Sequence, residues 1–561
     1  MPTDKIAIHN LVELCALKGI KHVVLSPGSR NAPLTISFDE HEEITCYTVP
    51  DERSAGFFAI GIAQEIGETV AICCTSGSAS LNYAPSIAEA FYQRIPLLIL
   101  TSDRPVEWVD QGDGQTIVQR DIYKNFIRGS YELPQEVVHE DEIWSSNRIT
   151  NEAIDLCSFP TPGPVHINIP LRESLYGKSS SKAEIKVIEN LNPELTISDE
   201  DLDSLSKVWN SHGKKLILCG QMKPNESLLR ALEIISTDDS VSILTESTAN
   251  LWHPSFNSCI DRLISNFTAE DKNDFRPTLL ITVGDAFISK KIKSFLRENK
   301  PEEHWNITDH DSHLDTFQSL TKTVRCQPSQ FFHGIKDRLI PIQSGYKTNW
   351  KGRDLHTEDQ HLSYINSCEF SDLKAFSLIL DFIPDRSVIQ MANSTAVRYV
   401  QLFNQIRSIE YYGNRGTSGI DGSTSTAAGM ACKSEKLVTL ITGDMSFFYD
   451  SNAFWNNHLT SNLKVIVINN SGGGIFRIIP GPSSTDQLEK FFETEQNMTC
   501  EHIAKQFNIN YYSARNEAEL ETELASFFLP SENGRPSILE IVTPKLVNSG
   551  VLDKYFESLQ H

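Results

Sequence analysis

The chain has 561 residues, and 73 acidic against 50 basic side chains give it a formal net charge of −23. Hydrophobic residues at 40% and charged residues at 22% are ordinary for a folded globular protein and exclude disordered and collagen-like classes. The acidic balance argues against a general binder of nucleic acid or anionic membrane, because phosphate backbones require Lys and Arg.

Residues 1–22 carry an amphipathic-helix pattern without the charged, apolar and small-residue order of a secretory signal. The longest apolar runs, such as 95–100 and 464–468, are strand-sized and far short of the roughly 18 residues of a membrane span, so no membrane insertion is expected. Eleven cysteines are scattered without CxxC or Cys/His ligand spacing, which predicts reduced core thiols in a cytoplasmic protein and no zinc.

Taken in order, HVVLSPGSR (22–30) reads as strand then turn, ERSAGFFAIGIAQEIG (52–67) as helix, TVAICCTSGSA (69–79) as strand then turn, and IPLLILTSDRP (95–105) as a buried strand. Continuous apolar strands alternating with helices predict a parallel sheet covered on both faces. A polar stretch at 176–201 reads as a linker. KLILCGQ, VSILTES and TLLITVGD open a second unit, which ends in a polar stretch at 343–359. SVIQMANS, KLVTLITGD, LKVIVINN and SILEIVTP form a third. No internal repeat is evident. The expected fold is α/β, with three domains at 1–180, 195–345 and 360–561, each a mostly parallel sheet flanked by helices.

Ligand groups in such folds sit just beyond the carboxyl ends of the strands. There the third unit places Gly443-Asp444 and, 26 residues on, Asn470 followed by Gly472-Gly473-Gly474. A carboxylate and an amide oxygen at adjacent strand ends suit a hard divalent cation, which takes oxygen ligands and leaves positions for phosphate and water. Two ordinary turns would use the same residues. Glu52, by itself, reads as a helix N-terminal acid. Strand-end loops also supply Arg30, Arg104, Arg398 and Arg415, and the segment SKKIKSFLRENK supplies Lys290 and Lys291.

Together, Glu52 and the GD…NN pair resemble the cofactor motif of thiamine-diphosphate enzymes, whose domain order (pyrimidine-binding, central, diphosphate-binding) fits the whole chain. SPGSRNAPL, DERSAGFFAIG, TSGSA, TSDRP, NRGTSGIDGSTSTAAG and NNSGGGIF resemble one family among them, the synthases that join 2-oxoglutarate to isochorismate in menaquinone (or phylloquinone) biosynthesis. Two departures stand out. Met445 replaces the second glycine of Gly-Asp-Gly, and GDGQ (112–115) replaces the more usual Gly-Ala-Asn-Gln.

The resemblance implies thiamine diphosphate with Mg²⁺ (or Mn²⁺), the cation held by Asp444, Asn470 and the Gly472 carbonyl. Gly443, Met445 and Ser446 would bind the cofactor, Ser418 and Gly419 would contact its pyrimidine through backbone groups, and Ile420 would wedge beneath it and hold it bent. Glu52 would hydrogen-bond the aminopyrimidine and act as an indirect acid/base catalyst. Loss of CO₂ from 2-oxoglutarate and conjugate addition to isochorismate would follow. Ser29, Arg30, Arg104, Gln115 and Lys291, with Lys290 beside it, would face isochorismate. Ser394, Arg398 and Arg415 would face the succinyl carboxylate, and Ile475 and Phe476 would form an apolar wall. The family also implies a homo-oligomer, dimer or tetramer, with the active site between subunits. A pyruvate-using carboligase such as an acetolactate synthase fits less well, because planar cations are needed for dicarboxylates. A nicotinamide dehydrogenase lacks its Gly-x-Gly-x-x-Gly. An inactive scaffold has no chemical need for Glu52, Asp444 and Asn470 together.

Overall fold

A computed structural model describes residues 3–179, 185–311, 313–531 and 533–560. Residues 180–184 of the expected linker lie outside them. Three all-parallel sheets carry the chain. The first comprises β1 (His22–Leu25), β2 (Thr45–Thr48), β3 (Val70–Cys74), β4 (Leu97–Asp103), β5 (Ser130–Glu132) and β6 (Val165–Pro170), in the order β2-β1-β3-β4-β6-β5. The second comprises β7 (Lys215–Cys219), β8 (Val241–Thr245), β9 (Leu279–Val283), β10 (Glu303–Thr308) and β11 (Lys322–Arg325), in the order β11-β10-β9-β7-β8. The third comprises β12 (Val388–Met391), β13 (Glu410–Gly413), β14 (Val438–Gly443), β15 (Leu463–Asn469), β16 (Asn510–Ala514) and β17 (Ser537–Val542), in the order β13-β12-β14-β15-β17-β16.

Central strands such as β3, β4 and β15 are buried at every residue, which is why they read as unbroken apolar runs rather than alternating ones. The first and third sheets share one strand order, a topological repeat that no sequence repeat announces. In both, the order reverses at the first strand, between β1 and β3 and again between β12 and β14. Such a switch point opens a crevice beyond the carboxyl ends, where open α/β sheets bind ligands. SPGSR and TSGSA flank the first crevice, and Asn393-Ser394 and Gly443-Asp444 the second. Among the described residues, no helix is long and apolar enough to cross a membrane.

The first and third domains share one hydrophobic core, closed by the helices Glu52–Ile66 and Ser423–Lys433 lying on each other. Their backbones nearly touch: a Cβ on Gly61 would fall 2.0 Å from the Thr426 carbonyl oxygen, and one on Gly429 would fall 1.9 Å from that of Phe58. Gly61→Val is therefore expected to lower stability by about 1–3 kcal/mol through overpacking. Thermal unfolding is the check, and an unchanged melting temperature would contradict the close approach.

Most of the polar stretch at 343–359 is helical. A helix spans Tyr346–Ser367, its buried stripe running Tyr346, Trp350, Arg353, Thr357, His361, Ile365. The spacing is helical, but Arg, Thr and His along the stripe mask its periodicity. Arg353 is buried because its guanidinium donates to the carbonyls of Leu263 and Ser265, and His361 because its ring bonds the Tyr555 hydroxyl. The helix starts in the core of the middle domain, where Tyr346 and Trp350 pack, and ends in that of the third, where Ile365 packs.

Candidate active site

Asp444 begins the helix Asp444–Tyr449 directly after β14, and Asn470 follows β15, the neighbouring strand. Both are buried. Asp444 Oδ2 accepts from Gly472 N at 2.8 Å and from Gln496 Nε2 at 2.6 Å, while Oδ1 accepts from Met445 N at 2.7 Å. Burial outweighs these bonds and pushes the carboxyl up to about 6. Asn470 Nδ2 donates to Asp372 Oδ2 at 3.0 Å, but its Oδ1 is buried without a partner. The Gly472 carbonyl accepts only from Gly474 N, which leaves a second lone pair.

The glycines are forced by space. Gly472 has φ +139°, and a Cβ there would lie 2.5 Å from the Glu493 carbonyl oxygen. An unsatisfied amide oxygen beside a buried carboxylate is a donor set that a hard divalent cation completes. Among the described residues no cluster of three or more His, Cys, Asp or Glu side chains could hold a metal, so a cation here would depend on mixed oxygen donors such as these. Met445, the departure from Gly-Asp-Gly, supplies only its backbone N–H to this arrangement, and a side chain there leaves the hydrogen-bond pattern intact.

The loop 414–421 stands opposite. Ser446 Oγ donates to the Ile420 carbonyl at 2.6 Å, and Asn393 Nδ2 donates to the Gly419 carbonyl at 2.6 Å. Ser418 takes the left-handed backbone at φ +61°, as do Ser394 at +74°, Gln115 at +56° and Ser471 at +64°. Non-glycine residues are uncommon there, and they concentrate at sites that the surrounding structure over-determines. Ile420 remains 36% exposed amid these bonds, as a residue facing a ligand would be. From the first domain, buried Glu89 accepts from Gly416 N, Thr417 N and Thr417 Oγ1 and so fixes the far end of the loop. Glu52 opens its helix at the first turn, capped by Asp51, whose carboxylate accepts from Arg53 N and Ser54 N. Its own carboxylate is only partly covered and reaches Asn82 Nδ2 at 3.5 Å.

The predicted anion ligands fall into two clusters on different sheets. At the first sheet, Arg30 N donates to Thr75 Oγ1, the Gln115 backbone packs against Gly77, and Arg104 Nη2 donates to the Gly114 carbonyl. Ser29 is exposed beside them. Arg30 is already engaged with the Leu171 carbonyl and with Glu173, both at 3.0 Å. Because Glu173 is itself mostly exposed, a substrate carboxylate could displace it at small cost.

At the junction of the middle and third domains, Lys290, Lys291, Arg398 and Ile475 line a cavity of about 150 Å³ together with Asp261 and Phe556. Arg415 Nη1 donates to Asn393 Oδ1 at 2.6 Å, while its Nε is buried without a partner. Burial, then the neighbouring Arg398 cation, lowers the Arg415 pKa from its ordinary value. A largely buried guanidinium with an unpartnered Nε, in the field of a second cation, suits an anionic ligand. Lys291 donates to Ser265 Oγ at 2.8 Å with its ammonium 3.6 Å over the Phe556 ring. Ile475 of the expected apolar wall lines this cavity, and its neighbour Phe476 packs on Phe492 with ring centroids 5.7 Å apart.

Several contributors escaped the sequence reading. Buried Glu246, pushed up to about 7 by burial, accepts from Ile288 N and Ser289 N and so anchors the start of the helix that carries both lysines. Asp261 accepts from the Ser289 hydroxyl at the same point. Glu89, Gln496 and Asp372 act likewise on residues already named. Each is an isolated acid or amide in an unremarkable stretch, and no local motif marks it.

Comparison with known proteins agrees. Residues 7–123 match the thiamine pyrophosphate enzyme N-terminal TPP binding domain, 194–374 the middle domain of thiamine pyrophosphate enzymes, and 391–541 the C-terminal TPP binding domain. A 2-succinyl-5-enolpyruvyl-6-hydroxy-3-cyclohexene-1-carboxylate synthase of Flavobacterium psychrophilum is 43% identical over 552 residues, covering 98% of each chain. One of Christiangramia forsetii is 42% identical over the whole of both chains. The chain belongs to this synthase family, within the thiamine pyrophosphate enzymes. A third synthase of the same name, from Porphyromonas gingivalis, is 40% identical across 99% of this chain and 97% of its own. Thiamine pyrophosphate is thiamine diphosphate, so the cofactor expected from Glu52, Asp444 and Asn470 is the one these domains bind.

Proposed function

We propose that this chain is the synthase that decarboxylates 2-oxoglutarate and adds the resulting four-carbon unit to isochorismate, giving 2-succinyl-5-enolpyruvyl-6-hydroxy-3-cyclohexene-1-carboxylate in menaquinone biosynthesis. The observation that carries this reading is the coincidence of a buried oxygen-donor corner at Asp444 and Asn470 with two separate clusters of cations at strand ends. Bound thiamine diphosphate supplies the electron sink for loss of CO₂ from a 2-oxo acid. Asp444, Asn470 and the Gly472 carbonyl would hold Mg²⁺ or Mn²⁺ against its diphosphate, which the −23 chain would otherwise repel. The partly exposed Glu52 carboxylate would hydrogen-bond the cofactor's ring nitrogen and supply a site for proton exchange. Arg398 and Arg415 would hold the distal carboxylate of 2-oxoglutarate, while Arg30, Arg104 and Gln115 would orient the acceptor, with Lys290 and Lys291 reaching it from the cavity they share with Arg398.

Loss of isochorismate absorbance in protein, thiamine diphosphate, Mg²⁺ and 2-oxoglutarate tests the function, each component being omitted in turn. Loss that requires all four supports it. CO₂ release without isochorismate consumption would overturn the acceptor assignment. Arg398→Ala and Arg415→Ala are each expected to raise the KM for 2-oxoglutarate by roughly 10–100-fold, the worth of a charge-assisted pair, and to alter that for isochorismate little. The opposite pattern would exchange the two subsites.

We further propose a cytoplasmic homo-oligomer in which Glu52 of one chain serves the cofactor held by Asp444 of another. Within one chain the start of the Glu52 helix is tied to the third domain through Arg53 and Asp51, which bond the Tyr449 carbonyl and Asn452, not the loop 414–421. Co-expressed Glu52→Gln and Asp444→Ala chains are expected to regain activity that neither shows alone, because mixed oligomers restore one intact site. No recovery in verified mixed oligomers would place both residues in the same chain's site.

A further inference from the structure

Asp372 opens the helix Asp372–Phe382 and is 1% exposed. It belongs to no motif and stands 72 residues before Asp444. Its Oδ2 accepts from Asn470 Nδ2 at 3.0 Å and its Oδ1 from Thr543 Oγ1 at 2.5 Å, while its backbone N–H donates to Asn548 Oδ1 at 2.8 Å. Thr543 in turn follows β17, and its N–H donates to the Asn469 carbonyl at 3.1 Å. The carboxylate is thus clamped by two chain segments before it meets Asn470.

We propose that Asp372 is a positioning residue that sets the orientation of the Asn470 side chain, holding its Oδ1 toward the cation site. The inference rests on the reading of Asp444 and Asn470 as cation ligands. An ionised carboxylate only accepts hydrogen bonds. The Asn470 amide can therefore present only its NH₂ to Asp372, and its oxygen must take the opposite side. Rotated by half a turn, the amide would set oxygen against carboxylate and aim NH₂ at the cation, losing a bond and a ligand together. The present orientation leaves Oδ1 buried and unpartnered, which is unfavourable when nothing binds there. Only a carboxylate partner rules out the rotated form. An Asn at 372 would satisfy either orientation equally.

The test is Mn²⁺ binding to the full-length protein with saturating thiamine diphosphate, read from the electron paramagnetic resonance of free Mn²⁺. Outer-shell partners of metal ligands typically contribute 10–100-fold in affinity. Asp372→Asn is expected to weaken Mn²⁺ binding by about that factor. The exchanged pair, Asp372→Asn with Asn470→Asp, restores one carboxylate, one amide and a single allowed hydrogen-bond direction. It is expected to recover most of the loss. Wild-type affinity in folded Asp372→Asn, or an exchanged pair no tighter than the single variant, would overturn the proposal. If Asp372→Asn does not fold, Thr543→Val keeps the charge but frees the carboxylate, and is expected to weaken Mn²⁺ several-fold; no change there would equally overturn it. Asp444→Ala separates the two ideas: if it leaves Mn²⁺ affinity intact, the cation site itself is wrong and the role of Asp372 falls with it.

Discussion

Glu52→Gln is expected to bind thiamine diphosphate about as well as the native protein and to lose turnover by about 10²–10⁴-fold, the usual contribution of a positioned general acid–base group. The substitution is nearly isosteric. Asp51, not Glu52, caps the helix, so the helix start does not depend on the missing charge. The close-packed contact with the third domain lies further along, at Gly61. What changes is proton exchange: an amide can hydrogen-bond a ring nitrogen but cannot give and take a proton at neutral pH. Steady-state turnover and calorimetric cofactor binding measured on one preparation separate the two effects. Native turnover would exclude Glu52 from the chemistry. Lost binding with lost turnover would instead make it a structural ligand.

Much of this site was legible because strand ends advertise themselves. Buried parallel strands read as apolar runs, and whatever polar residues end them are candidates by topology alone, as with Asp444 after β14 and Arg104 after β4. The family resemblance supplied roles that spacing could not. Glu52 without it is a helix-start acid, and Ile420 a core residue beside a turn. Three kinds of information stayed hidden. The helix Tyr346–Ser367 buries Arg353 and His361 on its apolar stripe, and its polar composition reads as a loop. The common strand order of the first and third sheets left no repeat, since such an order constrains burial rather than side-chain identity. Asp372, Glu246 and Glu89 serve residues 98, 42 and 327 positions away through side-chain hydrogen bonds that carry no local pattern. Phe476 packs on Phe492, a contact that neither the motif nor its neighbour Ile475 announces.

Asp444→Ala is expected to abolish measurable metal-dependent cofactor binding, a larger effect than the loss of any single arginine. In the proposed site a cation would have one carboxylate among its protein ligands, and the remaining donors, Asn470 and the Gly472 carbonyl, would be neutral. The same carboxylate orders the glycine turn by accepting from Gly472 N and holds Gln496. Its removal therefore deletes charge and geometry together. The pH dependence follows with a definite sign. Burial raises the folded carboxyl from its ordinary 3.8 to about 6, so without a cation the buried charge costs the fold about 3 kcal/mol above that value, and the cost vanishes as pH falls toward the ordinary one. A cation needs the ionised form, so protons compete with it. Apparent Mn²⁺ affinity in the native protein is expected to be flat above about pH 6 and to fall roughly tenfold per unit below it. Conversely, the native protein is expected to gain in melting temperature from added Mn²⁺ and thiamine diphosphate at pH 8, and Asp444→Ala is expected to gain nothing from them. Calorimetric titration across pH 5–8, with melting curves for both proteins, measures both halves. An affinity that rises as pH falls would show that Asp444 is not the group the cation meets.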